Sequence, residues 1–157
     1  FISAIQNAKK NLKYCSMCYN ISDTDPCTIC SNATRDNSII CVVEDSKNII
    51  TLEKMGSYNG KYHVLNGLIS PMNGKGPNDI EIASLVNKVK NNEIKEVIIA
   101  ISPTLEGETT ALYISKLLES TNVIVSKIAY GIPMGADMEY LDQMTLSMAL
   151  NNRNKIS

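Results

Sequence analysis

The sequence predicts an α/β protein in which a small four-cysteine metal module precedes a mostly parallel sheet. Two observations carry this. Cys15-x2-Cys18 and Cys27-x2-Cys30 form two matched pairs separated by eight residues, and from Ser38 onward apolar runs alternate four times with amphipathic stretches. Strands buried on both faces read as nearly unbroken Val/Ile runs, and strict strand–helix alternation is the order of parallel sheets with helices on both faces and right-handed crossovers. With 157 residues, 44% of them hydrophobic, the chain can bury one core plus the small module.

The elements follow in chain order. Phe1, Ile5, Ala8 and Leu12 repeat at helical spacing with no capping residue ahead, so the chain is expected to start inside a helix, as a fragment of a longer protein. Lys9, Lys10 and Lys13 decorate the end of that helix, either as a solvated face favoured by the helix dipole or as a phosphate-contacting patch. Ser38 to Glu44 is the first strand, and a helix over 46–55 follows, with Asp45 or Ser46 as cap and Gly56 after its end. Tyr62 to Leu65 reads as a second strand. Gly67 to Pro77 is a turn-rich loop closing at Asn78 or Asp79, the expected cap of a helix to about Asn92. Val97–Ile101 and Val123–Ala129 are the remaining strands, Gly107–Glu119 and Glu139–Asn151 the remaining helices. Repeats and low-complexity tracts are absent from the sequence.

Two-residue spacing lets both sulfurs of a pair turn toward one point, and two such knuckles close a tetrahedron around a soft divalent ion, most often Zn²⁺. Two disulfides or redox thiols are the competing readings. Against disulfides stand the lack of a secretory leader, the fifth cysteine Cys41 in an apolar strand-like run, and the intracellular character of the remainder. Four sulfurs leave no open coordination position, so a structural ion is expected.

Lys+Arg number 15 against Asp+Glu 16, so a global basic field for nucleic acid is excluded and any DNA affinity must be local. No stretch approaches the roughly 18–20 apolar residues of a membrane span, and a soluble, cytoplasmic protein is expected. Functional groups of a parallel sheet gather at the carboxyl ends of its strands, which places Glu44 on one rim with Glu106 and Glu108. Three such carboxylates can hold Mg²⁺; equally, Glu106 and Glu108 fall in the first turn of a helix, where the dipole alone favours negative charge. His63, the single histidine, is expected to be a strand or surface residue, and Cys41 a buried small hydrophobe.

Several runs together resemble a known family. They are Tyr14-Cys15-Ser16-x-Cys18-x8-Cys27-x-Ile29-Cys30, Val42-Val43-Glu44, Tyr62-His63-Val64-Leu65, and Ser70-Pro71-x-x-Gly74-x-Gly76-Pro77. Pro103-Thr104-x-Glu106-Gly107-Glu108-x-Thr110-Ala111-Leu112-Tyr113 and Gly131-Ile132-Pro133-x-Gly135-x-Asp137-x-Glu139-Tyr140 complete the set. In this order they resemble the RecR family of bacterial recombination mediators across essentially the whole chain.

That resemblance implies the end of an N-terminal helix over 1–14, a zinc finger over 15–36, a Rossmann-like Toprim domain over 37–129 and a Walker B-like segment over 130–157. The ligands of one zinc would be Cys15, Cys18, Cys27 and Cys30. It implies an adaptor or DNA clamp that, with RecO or RecF, helps load RecA onto single-stranded DNA coated by single-strand-binding protein, near the nucleoid. A family helix-hairpin-helix region has no counterpart here, so a homodimer is expected for this chain and a ring-like tetramer for the full-length protein. Weak, salt-sensitive DNA binding through Lys9, Lys10, Lys13 and Arg35 is expected too. Toprim enzymes bind Mg²⁺ through a glutamate and an Asp-x-Asp pair; Glu44 matches the first, but the pair here is Glu106-Gly107-Glu108. The longer side chains move the carboxylates outward, so a partner-binding rim or a weak Mg²⁺ site is expected, without catalysis. A Mg²⁺-dependent nuclease or topoisomerase-like enzyme is the alternative. Without Gly-x4-Gly-Lys-[Ser/Thr], a nucleotide phosphate has no cradle.

Overall fold

In the computed structural model the described residues are 2–156, with the side chains of 7–11 excluded. The elements are α1 (Ile2–Asn11), β1 (Lys13–Tyr14), β2 (Ile21–Ser22), β3 (Asp36–Val43), α2 (Ser46–Met55), β4 (Gly60–Val64), α3 (Ile82–Asn91), β5 (Glu96–Ile99), α4 (Leu105–Leu118), β6 (Ile124–Lys127) and α5 (Gln143–Asn151). They divide into two compact units, Phe1–Ser126 and Lys127–Ser157.

In the first unit β3 pairs in parallel with both β4 and β5, within a four-stranded sheet of order β4-β3-β5-β6. The pleat sorts β3 between two cores. Ile40 and Val42 pack with Leu85 and Val89 of α3 and Ala111, Ile114 and Leu118 of α4. Cys41 and Val43 point the other way, to Ile49 of α2 and to Tyr62 and Val64 of β4. Period-two alternation under an unbroken apolar run is what a strand covered on both faces requires. Each fully buried Val or Ile contributes about 1.5–3 kcal/mol over an exposed one. Cys41 is buried, and burial pushes its thiol up to about 12.

Helix α2 begins and ends as its sequence predicts. Asp45 accepts from the Lys47 N–H, Asn48 reaches back to the Asp45 N–H, and Gly56 closes the helix at φ 72°. The third helix starts later than its Asn78/Asp79 signal. Pro77–Asp79 forms a 3-10 turn in which the Asp79 carboxylate accepts from the Gly76 N–H, so this side chain caps the turn, and α3 begins at Ile82. The next helix starts earlier than expected, because Thr104 accepts from the Gly107 N–H. In the second unit Met138–Tyr140 is a 3-10 turn, and Asp142 caps α5 through the Thr145 N–H. Among the described residues no helix is long and apolar enough to cross a membrane.

Candidate metal centre

Both cysteine pairs sit on tight turns closed by their own backbone. The Tyr19 N–H donates to the Cys15 carbonyl at 2.9 Å and the Cys15 N–H to the Asn20 carbonyl at 2.7 Å, with Tyr19 at φ 65°. In the second pair the Ser31 N–H and hydroxyl both donate to the Cys27 carbonyl, at 3.0 and 2.9 Å. Asp25 ties the intervening loop to the first turn by accepting from the Ser16 N–H and hydroxyl at 2.8 and 2.7 Å.

These turns converge the four sulfurs. Cys15, Cys18, Cys27 and Cys30 bring their Sγ atoms within 4.8 Å of one another, and all are unbridged. Cys18 and Cys27 lie 3.6 Å apart, sulfur to sulfur, whereas a tetrahedral ion with Zn–S bonds of about 2.3 Å asks for about 3.8 Å. The donor set and its spacing fit Zn²⁺. The site is also prepared for thiolate charge: the Cys27 N–H points at the Cys15 sulfur, 3.3 Å away. Burial pushes the Cys15 thiol up, but donors from the Cys27, Cys18 and Met17 backbone outweigh it and hold it at about 7. Cys18 is raised by its hydrogen bond to Cys30 and by burial, and Cys27 chiefly by burial. Metal coordination supplies the positive charge that lets four crowded sulfurs ionise together.

The finger lies along the free edge of β4. The Val64 N–H donates to the Cys18 carbonyl at 2.8 Å, closing a strand edge that would otherwise expose its donors. Lys61 spends its ammonium on the carbonyls of Ile29, Cys30 and Asn32, at 3.0, 2.9 and 3.1 Å. Sequence reasoning assigned Lys61 no role, and nothing in its local pattern signals one.

At the carboxyl end of the sheet Glu44 follows β3, and Glu106 and Glu108 lie in the first turn of α4, all half-buried. Glu106 accepts from the Ser70 hydroxyl at 2.7 Å. Among the described residues only the four cysteines gather as a metal-ligand group. Of the expected DNA contacts, Lys13 is exposed on β1, and the side chains of Lys9 and Lys10 lie outside the described residues. Arg35 is committed inward: it pairs with Glu53, donates to the Gly60 carbonyl at 3.1 Å, and lies 6.0 Å from the Tyr62 ring centre.

His63 is a strand residue, one of its two readings, and not a surface one. It is fully buried in β4, with Nε2 2.6 Å from the Glu81 carbonyl and Nδ1 3.0 Å from the Lys88 ammonium. A carbonyl can only accept, so Nε2 carries the proton and Nδ1 receives the bond from Lys88. Nothing in the sequence signals this pairing, since a lysine three residues after Leu85, beside the α3 apolar stripe of Ile82, Leu85 and Val89, also describes an ordinary solvated helix flank.

Three known families match the chain in order. Residues 12–32 match the RecR four-cysteine zinc finger domain, residues 38–129 the Toprim domain, and residues 131–154 the RecR C-terminal family. The finger match falls on the four converged cysteines, and together they define a site for one Zn²⁺.

Proposed function

The chain belongs to the RecR family and has its recombination-repair role, and from that premise we propose that it acts as a DNA-clamp adaptor that, with RecO or RecF, helps load RecA onto single-stranded DNA coated by single-strand-binding protein. The observation that carries this reading is the unbroken order of finger, Toprim and C-terminal matches in one chain, with the finger's sulfurs in metal-binding geometry. RecR proteins are generally non-catalytic, and we read the rim of Glu44, Glu106 and Glu108 as a surface for a basic partner such as RecO. Support comes from the Glu-x-Glu pair in place of Asp-x-Asp and from Glu106 being held by Ser70. Assembly as a homodimer, and as a tetrameric ring in the full-length protein, is part of the proposal. The second unit carries the apolar surface that an interface would cover, with Met134, Met138, Tyr140, Met144 and Leu150 exposed.

Titration of RecO into the parent and Glu108→Ala proteins tests the adaptor reading. Glu108→Ala should weaken the complex about tenfold by removing a charge-assisted contact, with zinc content and fold unchanged. Unimpaired RecO binding, together with DNA cleavage by the parent in Mg²⁺ or Mn²⁺, would instead establish the nuclease alternative.

A further inference from the structure

Both cysteine turns are mounted on β4, by different means. The first is bound through backbone, the Val64 N–H donating to the Cys18 carbonyl at 2.8 Å, with the Asn66 side-chain amide on the Tyr19 carbonyl beside it. The second is bound through a side chain. Lys61 donates to the carbonyls of Ile29, Cys30 and Asn32 at 3.0, 2.9 and 3.1 Å, one bond for each N–H of its ammonium. The chain leaving that turn is laid along the start of β4, where the Asn59 amide donates to the Thr34 carbonyl and Arg35 to the Gly60 carbonyl. Cys30 is the half-buried ligand of the four, whereas Cys15, Cys18 and Cys27 are buried, so packing confines its sulfur least. The Ile29 carbonyl lies in the peptide plane before the Cys30 Cα, and the Cys30 carbonyl in the plane after it. Lys61 bonds to both.

We propose that Lys61 is a positioning residue for the metal site: by holding the peptide planes on both sides of Cys30 it fixes that residue's φ and ψ, and leaves χ1 alone to bring the sulfur to the other three. Zinc then binds a second turn that is already ordered, and affinity rises by the ordering that binding no longer has to supply.

Competition with a chromophoric chelator measures zinc affinity and tests this. Lys61→Met keeps an unbranched chain but removes every donor, and it should bind zinc at least about tenfold more weakly than the parent. Lys95 is exposed and lines the same cleft of about 930 Å³ as Lys61, so Lys95→Met, which removes a neighbouring charge without touching the turn, should bind zinc as the parent does. A lysine that merely ties the finger to the sheet would support zinc-loaded and metal-free protein equally. A positioning lysine supports the zinc-loaded form more, so the gap between the melting temperatures of the two forms should narrow in Lys61→Met. Parental affinity in Lys61→Met, an equal weakening in Lys95→Met, or an unchanged gap would overturn the proposal. If Lys61→Met does not fold, the parent decides, because coupling is reciprocal and zinc must then also hold the Lys61 ammonium in place. Its proton signal in isotope-edited NMR spectra, visible only while exchange with water is slow, should be present with zinc and lost once zinc is stripped. The same signal in both states, or in neither, would refute the inference.

Discussion

Replacing Gly107 with alanine tests whether the acidic rim is built on a backbone contact that admits no side chain. A Cβ at Gly107 would stand 2.1 Å from the Ser102 carbonyl oxygen, 3.0 Å from Ile101 Cγ2 and 3.2 Å from Thr104 Oγ1. The first distance is far inside any ordinary contact, and its partner is backbone, so either the Ser102 peptide or the start of α4 must move. Thr104 cannot follow freely, because its hydroxyl accepts the Gly107 N–H at 3.1 Å and caps the helix. Overpacking costs about 1–3 kcal/mol and a weakened cap about 1 kcal/mol. Alanine's better helix propensity returns about 1 kcal/mol. The net loss of about 1–3 kcal/mol corresponds to a Tm lower by roughly 3–10 °C for a chain of this size. Thermal unfolding of zinc-loaded protein followed by circular dichroism measures it, with Gly131→Ala, whose added Cβ meets nothing within 4 Å, as the neutral control. A Gly107→Ala protein that melts at or above the parent's temperature would show that the close approach of α4 to the Ser102 carbonyl is not a constraint.

Cys27→Ser should abolish the one-per-chain zinc seen by metal analysis and loosen the finger, while the sheet, whose two cores are built mainly from its own strands and helices, keeps its circular dichroism; a full equivalent of zinc in the variant would contradict the four-thiolate site. His63 gives stability a pH dependence of known sign. Burial, then the Lys88 charge, pull it from 6.5 to about 3 against the opposing Glu81 carbonyl, so the folded state binds fewer protons than the unfolded one between those values. Its contribution is therefore intact above pH 6.5 and lost as pH falls, by about 1.4 kcal/mol per unit. Urea midpoints at pH 7.5 and 5.5 should show a steeper decline for the parent than for His63→Gln, and equal declines would exclude this role.

Much of this architecture is legible because its signals are local. Ser38 to Val43 reads as a doubly covered strand since every residue of the central run is apolar, and β3 does divide Ile40 and Val42 from Cys41 and Val43. Asp45 and Gly56 bound α2 because capping involves only neighbours. The two Cys-x2-Cys pairs are legible for the same reason: each turn is closed within six residues, and only the meeting of the two turns is tertiary. Asp79 misleads because one side chain can cap either a helix or the turn before it, and here Pro77 commits it to the turn.

What stayed hidden is the polar wiring between elements far apart in sequence. Lys61, Lys88, His63 and Arg35 each sit in patterns that also describe ordinary exposed residues, and their partners lie 18 to 32 positions away. Such pairings depend on which elements the fold brings side by side, and β4, an outer strand, is the one the finger lies along. An outer parallel strand leaves every second N–H without a sheet partner, and the Val64 N–H finds one in the Cys18 carbonyl. The finger, too small to bury a core of its own, gains Tyr19 and Ile29 packed against the Toprim core. Each part therefore supplies what the other lacks, and the residues that join them are polar because they meet where a strand edge and the carbonyls of the finger's turns come together.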